Sequence, residues 1–268
     1  MPGRRGNTMN NTVGTVARAL SVLRAVVEAE GSAGVKDVAV ALDLPMSTSH
    51  RLLDLLLDAG FVEKEKVQRR YKVGPEFFRL ASLVTQKTSL ASRLQPVLDE
   101  LTRQTGETAI FAPFLPAELK TTYAAKSNSP NSLRFRITLF QKMPLEWGAT
   151  GLAILAFLPE EVQAKVFAQT RPSPVTKKRL TRTAFFERLA AVRREGFAIT
   201  ESEKLADSVG IAAPIYTAPD ALVGSIALAI PKVRFSRAKT KIYADLVRRA
   251  ADRFSSGMRT TPHGPRSS

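Results

Sequence analysis

Residues 35–60, VKDVAVALDLPMSTSHRLLDLLLDAG, constrain the fold of this chain more tightly than any other stretch. Val35, Val38, Ala39 and Leu42 recur at helical spacing, which predicts a short helix with one buried face. Asp43, Leu44 and Pro45 end it, because proline donates nothing to a helix and restricts the residue before it. Ser47 is a good N-cap, so a second helix is expected to begin there and stop at Gly60. Its body carries Leu52, Leu53, Leu55, Leu56 and Ala59, which need something to pack on. Its first turns carry Thr48, Ser49, His50 and Arg51, which do not. An apolar back with a donor-rich N-terminal end suits a helix that enters a DNA major groove. Arg51 can bond guanine or phosphate, and the hydroxyls of Ser47, Thr48 and Ser49 can reach phosphates or base edges. Two short amphipathic helices joined by a turn also occur in ordinary small helical domains, so the residues that follow decide between the readings.

Those residues favour the DNA reading. Phe61-Val62-Glu63-Lys64 and Arg70-Tyr71-Lys72-Val73 alternate like the strands of a hairpin, with cations in the loop between them. A basic hairpin directly after a helix-turn-helix is a winged arrangement, with Arg69 and Arg70 placed to touch the DNA backbone or minor groove.

The wider pattern resembles the IclR-type transcriptional regulators. The matching stretches are TVARALSVL at 15–23, LPMSTSHRLL at 44–53, GFVE at 60–63 and YKVG at 71–74. Pro144-Leu145, AFLP at 156–159 and IAAP at 211–214 extend the likeness to roughly residues 13–254. The resemblance implies an α+β chain: an N-terminal winged helix-turn-helix domain at 13–75, a linker helix at 76–88 and a C-terminal GAF-like α/β effector-binding domain at 89–256. Residues 1–12 and 257–268 are expected to be a disordered arm and tail. Implied partners are double-stranded DNA with a palindromic operator, a small organic acid effector, and further copies of the chain in a homodimer or homotetramer. Arg18, in the matching first helix, is counted with the DNA contacts. Repression and activation stay open.

Composition bounds the rest. With 268 residues the chain can build two modest cores. It has no cysteine and only two histidines, His50 and His263, so thiolate metal sites and disulfides are excluded and zinc or triad chemistry is disfavoured. No metal, cofactor or catalytic residue is expected. No apolar run approaches the ~20 residues of a membrane span, and the first residues lack a secretory core, so a cytoplasmic protein is expected. The net charge of +16 points to a polyanionic partner but does not locate it. Residues 1–88 contribute only +4, and the remainder +12. Lys177-Lys178-Arg179, Arg182 and Arg193-Arg194 read as solvated faces.

Phe77, Phe78, Leu80, Ala81 and Val84 give the helix after Pro75 a wide apolar face, which is expected to pack on its copy in a dimer. Beyond it, helices are predicted from Leu94 to Gly106 and over 148–158, 160–169, 184–195 and 236–254. Strands are predicted over 108–115, 119–125, 133–137, 197–200, 211–216 and 222–230.

Gly148-Ala149-Thr150-Gly151, after Trp147, brings a helix start close to the sheet. Taken alone, small residues there most often reflect tight helix–sheet packing, although free N–H groups and the helix dipole can also receive a carboxylate. The resemblance implies an effector site lined by Phe135, Trp147, Ala149, Thr150, Thr200, Gly210, Ala227 and Ala229. The chain departs from the family there. Similar regulators commonly carry His at the Glu146 position, Thr or Ser at Gly148, Lys at Leu152, and Cys or Ser at Gly210. Members that bind small keto acids tend to have Ser where this chain has Ala227 and Ala229. A pocket without those hydroxyls is expected to suit an aromatic or longer aliphatic acid better than a pyruvate-sized one, whose oxygens would be left unpaired. Arg134 and Arg136 alternate with Phe135, so an inward Phe135 turns both to solvent. The alternative is an enzyme acting on an organic acid through Glu146, Glu201, Glu203 or Asp207, for which no nucleophile or metal cluster stands beside them.

Overall fold

The computed structural model describes residues 14–65, 67–86 and 90–259. The proposed arm and tail, apart from residues 257–259, lie outside them. The chain divides into two compact units, residues 1–89 and 90–268.

The first unit runs α1 (Thr15–Glu28), α2 (Val35–Leu42), α3 (Met46–Asp58), β1 (Val62–Lys64), β2 (Tyr71–Val73) and α4 (Pro75–Gln86). Val22, Val26, Val38, Leu52, Leu53, Leu56, Val62 and Tyr71 form its core. Between α2 and α3, Asp43 takes a left-handed φ of 51° and its N–H returns to the Ala39 and Val40 carbonyls, which turns the chain sharply. The N-cap of α3 is Pro45, not Ser47 as its hydroxyl suggested; Ser47 sits inside the first turn. A proline has no N–H to leave unpaired at a helix start. At the other end Gly60 (φ 74°) donates to the Leu57 carbonyl and Phe61 to the Leu56 carbonyl, a Schellman closure that only glycine enters without strain. β1 and β2 pair antiparallel, with Val62 opposite Val73. The hairpin is also tied to the loop before α2, where Ala33 and Tyr71 exchange both backbone hydrogen bonds at 2.8 Å.

The second unit opens with α5 (Leu90–Thr105). It continues through β3 (Thr108–Leu115), β4 (Lys120–Thr121), β5 (Ala125–Ser127), β6 (Met143–Pro144), α6 (Ala149–Leu155), α7 (Glu160–Gln169), α8 (Arg182–Glu195), β7 (Ala198–Glu201), β8 (Ser208–Tyr216) and β9 (Leu222–Pro231), and ends in α9 (Thr240–Arg259). An antiparallel sheet runs β6-β4-β3-β9-β8-β7, with β5 also on β3. Strand alternation sorts its side chains between two helical layers. Val209, Ile211, Ile226 and Leu228 face a core shared with Leu94 and Leu98 of α5 and Val247 of α9. Ala212 and Ala227 face the opposite way, into a core with α6 and with Phe185 and Leu189 of α8.

Two expected strands differ. The stretch 119–125 splits into β4 and the start of β5. Residues 133–137 form no strand, because β5 and β4 already occupy that edge of β3. There the Lys126 ammonium bonds the Ile137 carbonyl at 2.8 Å and the Arg134 guanidinium the Ser129 carbonyl at 3.0 Å.

Candidate functional site

On α3, Leu52, Leu53 and Leu56 are buried in the first unit's core. Ser47, His50 and Arg51 are exposed, and Thr48 is half-buried. Ser49 does not belong with them. It is fully buried, its Oγ has no hydrogen-bond partner, and it lies three, four and seven residues before the buried leucines, on their stripe. Its hydroxyl therefore cannot meet DNA. His50 Nδ1 is 2.7 Å from Asp54 Oδ2, one turn on, and the Tyr71 hydroxyl approaches Asp54 Oδ1 at 3.4 Å. Arg51 is exposed with no ion pair among the described residues.

The two wing arginines differ. Arg69 is exposed, at a left-handed φ of 52°. Arg70 is committed to the fold: Nε donates to Ser32 Oγ at 3.1 Å, and its second nitrogen to the Ser32 carbonyl at 2.7 Å and Asp37 Oδ2 at 2.9 Å. Arg70 is thus a brace rather than a free wing cation. The Gly34 N–H, and after it Arg70, hold the Asp37 carboxyl below its usual range. Arg18 is half-buried on α1.

In the second unit a cavity of about 40 Å³ opens between the sheet and α6. Ala149, Thr150, Thr200, Gly210, Ala227 and Ala229 line it, six of the eight positions the resemblance implied. Phe135 packs beside Ile110, Tyr123 and Ile137, and on its other side lines a separate groove with Asp207 and Pro231. Trp147 is buried elsewhere, with Nε1 donating to the Arg171 carbonyl at 2.8 Å and the Arg188 guanidinium 5.7 Å from its ring. Neither of these two lines the cavity.

Gly148 of the expected helix start lines it too, but the other lining residues were not anticipated, and they change its chemistry. Ile110 and Ile137 form aliphatic walls. Tyr123 adds a phenol, whose pKa burial pushes up. Lys204 adds a cation. Its Nζ is closed off from solvent, lies 5.1 Å from the Tyr123 ring centre and has no hydrogen-bond partner. Burial pulls its pKa down to about 8, against the opposing pull of Glu146. Glu146, itself buried, is pushed up by desolvation. The pocket is thus richer in polar groups than the absent Ala227 and Ala229 hydroxyls suggested, which removes the reason for preferring an aromatic acid.

The helix start is not an open anion site. α6 has only seven residues, and its Gly148 N–H points at Glu203 Oε2 at 3.3 Å. Arg188 closes the arrangement, donating to both Glu203 oxygens at 2.6 and 2.8 Å. Packing explains the glycines. A Cβ on Gly151 would meet the Leu145 carbonyl oxygen at 2.4 Å, and one on Gly210 would meet the Ala149 Cβ at 3.1 Å.

The acids weighed for catalysis do not converge. Glu203 is paired as above, Glu201 is exposed beside Lys232 at 2.6 Å, and Asp207 is exposed. Among the described residues no group of three His, Cys, Asp or Glu could hold a metal ion, and no helix is long and apolar enough to cross a membrane.

Comparison with known proteins agrees with this architecture. Residues 15–66 match the IclR helix-turn-helix domain, and residues 82–256 match the C-terminal domain of bacterial IclR transcriptional regulators. The HTH-type transcriptional regulator BhcR of Paracoccus denitrificans is 28% identical over 242 residues, covering 90% of this chain and 86% of that protein. The crystal structure of an IclR transcriptional regulator from Silicibacter sp. TM1040 superposes with a TM-score of 0.83 at 26% identity, covering 94% of this chain and 98% of the other. An IclR homologue of Microbacterium hydrocarbonoxydans, solved in complex with 4-hydroxybenzoate, shares the fold with a TM-score of 0.73 at 19% identity, over 92% and 100% of the two chains.

Proposed function

Because the chain belongs to the IclR family of bacterial transcriptional regulators, we propose that it binds a palindromic operator through α3 and releases or grips it in response to a small organic acid held in the second unit. The outward face of α3 carries this reading: Ser47, His50 and Arg51 stand exposed on a helix whose other side is locked into a leucine core, and Arg51 has no ion pair among the described residues. Such a face can read base edges while the buried leucines fix its angle. Arg69 supports from the wing, and Arg18 is assigned a backbone contact.

Exposed Leu80, Leu83 and Val84 share one side of α4, and we assign this apolar side to a second copy of the chain. Two copies would place two α3 helices on successive turns of one duplex face. The effector acts by binding one arrangement of the assembly better than another, which shifts the population that can hold DNA.

Selection of binding duplexes from a random pool by the full-length protein tests the proposal. A palindromic consensus, with affinity lost in Arg51→Ala, is the expected result. Retention of any duplex equally well by both proteins would refute it.

A further inference from the structure

We propose that the Lys204 ammonium is the charge partner of the effector's carboxylate, so that this cavity selects short monocarboxylic acids. The inference rests on the reading of the cavity as the effector site, and names the residue that sets its ligand class.

The first observation is a buried cation without a hydrogen-bond acceptor among the described residues. Lys204 lines the cavity, and its Nζ is shut off from solvent with no hydrogen-bond partner among the described residues. An ammonium carries three donors, and burying it unpaired is costly. A ligand carboxylate supplies the missing acceptor and the missing charge together.

The second observation is that competing anion sites are closed. The Gly148 N–H and the Arg188 guanidinium both go to Glu203. Among the lining residues Lys204 is the single cation, and its carboxyl neighbour Glu146 is pushed toward the neutral acid by burial, which leaves one positive charge for a ligand to balance. A second carboxylate would be desolvated against Ile110 and Ile137. The hydroxyls of Tyr123, Thr150 and Thr200 remain for one further oxygen on the ligand.

Volume limits the rest. About 40 Å³ corresponds to roughly three water positions, room for a short acid and not for a benzene ring with the walls as they stand. Gly148 sets the lysine's path. Its Cβ, were there one, would come within 3.1 Å of Lys204 Cδ, so any side chain there would shift the lysine stem by a few tenths of an ångström.

Protonation gives a signature of the pairing. Tyr123 and Glu146 are the titratable groups facing Lys204 across the cavity wall. Glu203, its chain neighbour, is held by Arg188, and Asp207 is exposed. Burial leaves Lys204 titrating near 8, and a bound carboxylate pulls that value back up, so binding near pH 8 takes up a proton.

The test uses full-length wild type, Lys204→Met and Lys204→Arg. Each is titrated calorimetrically with acetate, pyruvate, butyrate and benzoate, and with the amide of each. At least one short acid is expected to bind wild type with proton uptake at pH 8, while its amide does not. Lys204→Met should bind that acid roughly 10- to 100-fold more weakly, with the proton uptake lost. Lys204→Arg should retain most of the affinity. Unchanged affinity in Lys204→Met, an amide as good as its acid, tighter binding of benzoate than of the short acids, or no acid bound by wild type overturns the proposal. Specific DNA binding by the same preparations is scored separately. DNA binding without acid binding defeats only the lysine assignment, and acid binding without DNA binding defeats only the operator reading.

Discussion

His50 and Asp54 face each other across one turn of α3, with Nδ1 2.7 Å from Oδ2, on the side of the helix turned away from the core. The pair is half-exposed, so its worth to folding is small. Its effect is positional: the imidazole is held at one nitrogen and offers the other outward. Asp54→Ala is expected to change stability by less than about 1 kcal/mol yet relax base preference at the position His50 faces. Denaturant melts and a selection on variant operators measure the two effects. A variant that keeps wild-type preference would remove His50 from base reading.

Arg51 and Arg70 should separate cleanly. Arg51→Ala is expected to weaken operator binding by about 1–3 kcal/mol with an unaltered melting temperature. Arg70→Ala removes bonds to Ser32 and Asp37, and should cost the first unit on the order of 1 kcal/mol of stability. Any loss of DNA affinity in the second variant should follow its loss of folded protein.

Ser49→Ala tests the burial of that hydroxyl. Removing an unpartnered buried donor should leave stability unchanged or raise it by about 1 kcal/mol, with DNA affinity intact. A substantial loss of operator binding with full stability would put Ser49 back at the interface.

Lys204→Met should be more stable than wild type at pH 7. The folded value near 8 lies below the ordinary 10.5, so between these limits the unfolded chain binds more protons than the folded one. Wild-type stability therefore rises through that window relative to the variant. The variant's advantage, up to about 3 kcal/mol at neutral pH, should shrink as pH climbs from 8 toward 10.5. Paired melts across that range read it directly, and a constant difference would contradict the burial of the charge.

Gly151→Ala places a methyl where the Leu145 carbonyl already lies, 2.4 Å away. Backbone must move, and a loss of about 1–3 kcal/mol is expected in the second unit. A thermal melt with unchanged midpoint would show that α6 has slack.

The leucine spacing, the Gly60 stop and the alternation of the wing were legible because each is a local rule that the core then obeyed. Ser49 was misjudged by chemistry. Its hydroxyl suggested a donor for DNA, although its spacing to Leu52, Leu53 and Leu56 already put it on the buried stripe. The strand expected over 133–137 failed for a non-local reason, since whether an edge is vacant depends on strands elsewhere in the chain. Lys204 was out of reach altogether. It is one of 40 basic residues, and only the β7–β8 connection, with left-handed Ser202 and Asp207 at its two sides, lays it over Gly148. Burial of one cation among many is a tertiary property without a signature in spacing or composition.

The paired backbone bonds between Ala33 and Tyr71 act as a clasp at the root of the wing. Tyr71 also reaches Asp54 with its phenol, so one residue touches the loop ahead of α2 and the outer face of α3. A displacement of the hairpin would therefore act on both helices through these bonds. DNA bent against the wing would thus retilt the inserted helix, and the stiffness of a duplex at bases the protein never touches would count toward its choice of site.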